Sequence, residues 1–81
     1  MERDEMLTRV SQLLRDIFDD TNLDISEGDS QETIEDWDSL AHINIVSALE
    51  DEFNVSFDIA DIPNTRTVKG ILDVLENKQV E

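Results

Sequence analysis

Ser39 and His42 are the residues of this chain whose types and spacing could support nucleophilic chemistry. They stand three positions apart in a helical stretch, so they would be neighbours on one helix face, and His42 is the only histidine. A hydrolase would also need an oxyanion hole and an orienting carboxylate in a pocket. The chain has no G-x-S-x-G turn, and a small acidic chain offers little concave surface. We therefore expect no enzyme activity and interpret His42 as a residue at the edge of the core.

A different chemistry is open to Ser39 because it stands where a helix should begin. It directly precedes an amphipathic stretch over residues 40–53, and Asp38 before it is a good N-cap. The first N–H groups of a helix lack intrahelical partners, and the helix dipole is positive at that end. Both effects favour a negative phosphate. The sequence therefore predicts that Ser39 is well placed to carry a phosphodiester.

Segment 20–31 begins like an EF-hand calcium loop, with oxygen-bearing side chains at its first, third and fifth positions. It departs at the sixth position, where Ile25 replaces the glycine of the turn, and at the twelfth, where Gln31 replaces a bidentate glutamate. We expect no dedicated metal site, although the acidic side chains should bind divalent ions weakly.

The whole chain has 21 acidic and 6 basic residues, which gives a net charge of −15. This excess negative charge comes from the middle of the chain. No base lies between Asp16 and Thr65, a stretch with 15 acids. Such a field repels nucleic acid and anionic membranes and attracts basic partner surfaces. A merely solubilising surface is the alternative interpretation of the same charge.

The length of 81 residues predicts one domain, with an ordered core over about 4–76. The absence of cysteine excludes disulfides, and any thioester would need a thiol from an added group. The longest apolar run is too short to span a membrane, and residues 1–5 do not resemble a signal peptide. We expect a cytoplasmic protein without membrane insertion.

Apolar periodicity predicts an all-α fold of three main helices and one short helix. The first helix should cover roughly residues 4–18, and the second should start at residue 38 or 39. Segment 57–62 could form a single helical turn closed by Pro63. Thr67 is a suitable N-cap for the last helix, in which Gly70 should be mildly unfavourable.

A loop of about 18 to 20 residues should separate the first two helices, which is long for a compact domain. Leu23, Ile25, Ile34 and Trp37 are spaced to pin it to the core. We interpret Trp37 as an anchor of the loop, although it also stands where an attached arm would pass.

The second helix should have two apolar faces. His42, Ile45, Val46, Leu49 and Phe53 are expected to face the core. A second face beside Ser39 has more bulky aliphatic surface than a single core requires, so we expect it to contact partners. The expected docking residues are Asp38, Leu40, Ile43, Ser47, Glu50 and Asp51.

Together these residues resemble an acyl carrier protein. The resemblance is carried by Asp38-Ser39-Leu40, by the helix-terminal run over 48–53 (A-L-E-D-E-F), by the long loop ahead of the serine, and by Thr67-Val68 at the last helix. It covers nearly the whole chain. It implies a four-helix bundle whose serine, here Ser39, receives 4′-phosphopantetheine from coenzyme A through a holo-synthase type phosphopantetheinyl transferase.

The resemblance also implies partners. The thiol of the arm would hold acyl groups as thioesters, and a monomeric carrier would pass them between acyl transferases and synthases with basic docking surfaces. Carriers of fatty acid synthesis usually have acids where Ala41 and Asn44 stand, and a methionine where Ser47 stands. These departures favour a specialised carrier for a polyketide, a modified lipid, a cell-surface sugar or an aminoacyl group. A peptidyl or aminoacyl carrier and a non-carrier acidic helical adaptor remain the alternatives.

Overall fold

The computed structural model describes residues 2–78, which form three α-helices and one short 3₁₀ helix. In chain order these are α1 (Arg3–Phe18), α2 (Ser39–Phe53), the 3₁₀ helix (Ile62–Arg66) and α3 (Val68–Lys78). The predicted all-α fold, with three main helices, one short helix and a long first loop, is confirmed. None of the helices within residues 2–78 is both long and apolar enough to cross a bilayer.

The apolar faces of the three α-helices meet in one core. α1 begins at Arg3, one residue earlier than predicted, and ends where Asp19 adopts a left-handed conformation. Each helix buries side chains at the spacing that gives one apolar stripe. The buried apolar residues are Met6, Val10, Leu14, Ile34, Trp37, Ile45, Leu49, Phe53, Val68, Ile71, Leu72, Val74 and Leu75.

Val46 was predicted to face the core from α2, but it is not buried in the structure. Ile45 and Leu49 are fully buried, but Val46 is only half-buried. Consecutive helical residues point about 100° apart, so Val46 cannot share the direction of Ile45. It lies at the border of the core stripe.

The loop over residues 19–38 is pinned to the core as predicted. Ile34 and Trp37 are buried, and Leu23 and Ile25 are half-buried against the same cluster. The Arg15 guanidinium also donates to the Leu23 carbonyl over 2.7 Å. The loop is therefore fixed both by apolar burial and by a hydrogen bond from the last turn of α1.

The short helix lies later in the chain than the helical turn predicted over residues 57–62, and Pro63 begins it and does not close it. The 3₁₀ helix begins at Ile62 and has Pro63 in its first turn, because the fixed φ angle of proline suits a helix start. The preceding residues form a turn in which the Asp61 carboxylate accepts the Asp58 N–H over 2.9 Å. That hydrogen bond, followed by the Lys78 ammonium, holds the pKa of Asp61 below its usual value.

Arg3 connects the beginning of α1 to two other parts of the chain. Its guanidinium bonds Glu27 of the loop over 2.8 Å and Asp73 of α3 over 3.0 Å, and it also contacts Glu76. The hydrogen bond from Arg3 lowers the pKa of Glu27 and raises that of the guanidinium itself. Exposed pairs of this kind contribute little to stability one by one, but this cluster ties three segments together.

Gly70 allows α3 to approach the 3₁₀ helix closely. A Cβ atom at this position would lie 1.8 Å from the Asn64 carbonyl oxygen and 2.9 Å from Thr67 Oγ1. The Thr67 hydroxyl in turn accepts the Gly70 N–H over 2.9 Å, which confirms the predicted N-cap of α3. Glycine is therefore required here by the tertiary contact, despite its low helix propensity.

We predict that Gly70→Ala destabilises the protein, although helix propensity alone would favour alanine by about 1 kcal/mol. The new methyl group must displace a backbone carbonyl, and overpacking of this kind typically costs about 1–3 kcal/mol. The measurement is urea unfolding followed by circular dichroism. Lys69→Ala, at an exposed position of the same helix, is the control and should change stability little. An unchanged or increased unfolding free energy for Gly70→Ala would contradict the close approach.

Candidate functional site

Ser39 is the first residue of α2, and its side chain is exposed to solvent. Asp38 is the N-cap, as predicted: its carboxylate accepts the Ala41 N–H over 2.8 Å. The Asp38 carbonyl accepts the His42 N–H over 2.9 Å and so closes the first turn. Both bonds fix the backbone around the serine and leave its hydroxyl facing outward.

The electrostatic setting of Ser39 suits an attached phosphate. α2 has fifteen residues, and its positive dipole end lies at the serine. No acidic residue occurs in the first turn of α2, so that turn adds no like charge. The Asp38 carboxylate, just before this turn, directs one oxygen at the Ala41 N–H in its capping bond. A phosphodiester on the Ser39 oxygen therefore fits the residues present.

The expected docking face is exposed along α2. Leu40 is 70% exposed and Ile43 is 65% exposed, although both are bulky aliphatic residues. Ser47 and Asp51 continue this exposed side toward the end of the helix. We call these four residues, together with Asp38 and Glu50, the docking face.

Glu50 has a structural contact that the sequence did not indicate. One of its carboxylate oxygens accepts the Phe57 N–H over 2.9 Å, and the residue is only half-exposed. This bond fixes the chain that leaves α2. Glu50 is therefore less free than Asp51 to meet a partner.

Ile59 is an exposed apolar residue that sequence reasoning missed. It is 92% exposed, in the turn between α2 and the 3₁₀ helix. Helical periodicity gave no signal because the segment is not helical. The detectable signal was a bulky isoleucine in a short segment flanked by Asp58 and Asp61.

The ion pairs formed within residues 2–78 do not involve Asp38, Glu50 or Asp51. Arg9 pairs with Glu52 over 3.7 Å, and Lys78 pairs with Asp61 over 2.9 Å. The other pairs belong to the Arg3 cluster. The acids of the docking face are therefore not neutralised by the bases of the described chain.

His42 does not serve as a base for Ser39. Its side chain is buried, and its two ring nitrogens are bonded to Trp37 and Thr65. The predicted anchoring of the loop by Trp37 is confirmed, since this side chain is only 2% exposed. Thr65 was missed because its partner comes from a distant segment that no local pattern identifies.

No protein-family model matches the chain. Among solved structures, it is similar to the solution NMR structure of a holo acyl carrier protein from Geobacter metallireducens. The TM-score is 0.81 at 26% sequence identity, and the match covers 89% of this chain and 83% of that one. The chain has the fold of an acyl carrier protein, which is a carrier and not an enzyme.

Proposed function

We propose that this protein is an acyl carrier protein whose Ser39 carries 4′-phosphopantetheine. The main support is the exposed serine at the first residue of α2, in a fold that matches a holo acyl carrier protein. The Asp38-Ser39-Leu40 motif supports the same assignment. The carrier would be the substrate of a phosphopantetheinyl transferase, which draws the arm from coenzyme A.

The residues around Ser39 present the attachment point and stabilise its charge. The arm, when bound, supplies a thiol for thioester formation, which this cysteine-free chain lacks. Asp38 fixes the first turn of α2, and the helix N-terminus favours the negative phosphate. The long pinned loop leaves this end of the helix open to solvent and to modifying enzymes.

The docking face is proposed to recognise acyl transferases and synthases that have basic surfaces. Leu40 and Ile43 offer apolar contact beside the serine, and Asp51 offers a charge that forms no ion pair within residues 2–78. Apolar anchors usually dominate interface energies, while charges steer the encounter. We place this monomeric carrier in the cytoplasm, where the enzymes of acyl biosynthesis would use it.

We predict that incubation of the apo protein with coenzyme A and a broad-specificity transferase adds one 4′-phosphopantetheine at Ser39. Intact-mass measurement should show one arm on the wild type and none on Ser39→Ala. Ser56→Ala changes an exposed serine outside α2 and should be modified like the wild type. Wild-type protein without an arm, or an arm on Ser39→Ala, would favour an unmodified acidic adaptor.

We predict that alanine substitutions distinguish a core residue of α2 from a docking residue, because the first should affect stability and the second the modification of Ser39. Leu49→Ala should lower the unfolding free energy by about 2–5 kcal/mol, because the side chain is fully buried. Ile43→Ala should change stability by no more than about 0.5 kcal/mol but slow modification of Ser39. Unfolding curves and transferase rates are the measurements.

The same transferase rates should fall as salt rises, because exposed charges are screened beyond about 8 Å at physiological ionic strength. A rate that is indifferent to salt would contradict electrostatic steering.

For the alanine pair, slow modification of Leu49→Ala with normal modification of Ile43→Ala would mean that the docking face is assigned to the wrong side of α2.

The cargo is proposed to be specialised, for a lipid or polyketide pathway rather than housekeeping fatty acid synthesis. Asn44 and Ser47 are exposed, and they stand where the fatty acid carriers usually have an acid and a methionine. Ala41 is half-buried, so it is less able to affect a partner directly. An aminoacyl cargo is the alternative, and loading assays with acyl and aminoacyl donors would separate the two.

We predict that Asn44→Glu combined with Ser47→Met makes the holo protein a better substrate for a malonyl transferase of fatty acid synthesis. An exposed ion pair is worth at most about 1 kcal/mol, so the charge should raise kcat/KM by up to about fivefold. Asn77→Glu, which adds an exposed charge to α3, is the control. If the kcat/KM of the parent already equals that of a housekeeping carrier, and the double variant has no higher kcat/KM, the proposal of a specialised cargo is wrong.

A further inference from the structure

Three buried side chains form a hydrogen-bonded link across the inside of the molecule. The Trp37 Nε1–H donates to His42 Nδ1 over 3.1 Å, and His42 Nε2 lies 3.1 Å from Thr65 Oγ1. Thr65 is fully buried, Trp37 is 2% exposed and His42 is 8% exposed. The link joins the end of the long loop, the first turn of α2 and the 3₁₀ helix, and the first two of these segments meet at Ser39.

The donors in this link determine the protonation state of His42. The indole nitrogen of Trp37 can only donate, so His42 Nδ1 must accept and has no proton. The proton of a neutral ring is then on Nε2 and is donated to Thr65 Oγ1. The Thr65 hydroxyl donates its own hydrogen bond to the Ile62 carbonyl over 2.6 Å. Each group is satisfied, but only while His42 is neutral.

Protonation of His42 would place a second N–H directly opposite the indole N–H. Two donors cannot bond, and a buried polar group without a partner is costly. The Trp37 and His42 rings meet edge to edge along this bond, with centroids 6.2 Å apart and planes inclined by 27°. The charged ring would therefore have to move away from Trp37 or admit water.

The surroundings of His42 also favour its neutral form. Burial, and then the positive charge of Arg66 on the 3₁₀ helix, lower the pKa of His42, while the Ile62 carbonyl acts in the opposite direction. On the segments that flank His42, the Asp38 carboxylate accepts from the Ala41 N–H, and the Asp61 carboxylate pairs with Lys78. From α1, the apolar Phe18 ring contacts Trp37, with centroids 6.3 Å apart.

We propose that His42 is the positioning residue of the Ser39 site: its neutral ring joins Trp37 to Thr65 and fixes the first turn of α2, and protonation releases this link. His42 touches neither the arm nor the acyl group in this role. It acts through the loop end and the helix start that present Ser39. The part of the proposal that concerns modification rests on the proposed function of Ser39, whereas the link itself does not.

The proposal has a definite pH dependence. The folded state favours the neutral ring, so the pKa of His42 is lower when the protein is folded than the value of 6.5 for the free side chain. Between these two pKa values the unfolded chain binds more protons, and stability falls as the pH falls. The contribution of the link is complete above about pH 6.5 and is lost as the pH drops through the folded pKa.

Two substitutions of His42 each keep one of its two hydrogen bonds and remove the titrating ring. His42→Asn keeps an amide oxygen that can accept from Trp37 in place of Nδ1. His42→Gln keeps an amide N–H that can donate to Thr65 in place of Nε2. The control combines His42→Gln with Asn44→His, which moves the histidine to an exposed position of the same helix.

The first measurement follows the imidazole and indole N–H signals by NMR, with tryptophan fluorescence, from about pH 8 to about pH 5. In the wild type, the signal of the single tryptophan should change with the protonation of His42. In the two single variants and the control it should be flat over the same range. A wild-type indole signal that ignores the titration of His42 would overturn the link.

Trp37→Phe provides a second test that does not depend on the folding of the histidine variants. It removes the indole N–H that faces Nδ1 and keeps an apolar ring. The pKa of His42 should then rise toward its ordinary value. An unchanged pKa would show that burial alone sets the protonation state, which would overturn the role of Trp37.

The second measurement is the rate of Ser39 modification by coenzyme A and a transferase, expressed as the ratio of wild type to His42→Asn at each pH. This ratio cancels the pH dependence of the enzyme. It should fall roughly fivefold as His42 becomes protonated, which is the factor for one typical hydrogen bond. A ratio that is constant with pH would mean that His42 is only a structural residue, which would overturn its positioning role. Absence of modification at every pH would refute the function of Ser39, and the NMR titration would still test the link.

Discussion

The burial of Trp37 beside the start of α2 is the constraint on which the rest of this structure depends. Ordering a long loop costs backbone entropy, and a twenty-residue connection without regular structure needs strong anchors. Trp37 is the last buried residue before Ser39 and the largest side chain in the chain. Its ring contacts Phe18 of α1 and His42 of α2. The position of Ser39 is therefore set from inside the molecule, by an apolar ring two residues earlier.

The charge distribution is compatible with this fold because the core and the acids occupy separate places. Among residues 2–78, the fully buried large side chains are apolar except for Thr65, and no acidic residue is buried. The basic residues that form ion pairs lie on α1 and at the end of α3, where they connect segments. The middle of the chain keeps its excess negative charge on the surface. That surface is available for long-range attraction of basic partners, and the core does not depend on it.

Local patterns predicted the three α-helices, the two N-caps and the anchors of the loop. These features depend on residues close together in sequence, such as Asp38 three positions before Ala41, so periodicity and capping rules suffice. The errors cluster in residues 54–66. Their path depends on contacts that are distant in sequence: Glu50 with the Phe57 N–H, His42 with Thr65, and Gly70 with Asn64. Composition gave no sign of these pairings, and the position of the 3₁₀ helix follows from them.

The docking face and the buried link are two sides of the first turns of α2. Leu40 and Ile43 point to solvent, while His42 and Ile45 point to the core, because helical residues one or two positions apart cannot face the same way. A partner that presses on the exposed side therefore acts on the same short backbone segment that the link holds from inside. Ser39 begins this segment, so under the proposed function its orientation would respond to both. A rigid first turn lowers the entropy lost on binding, so in a carrier that docks through this face the interior bonds of α2 would contribute to recognition without touching the partner.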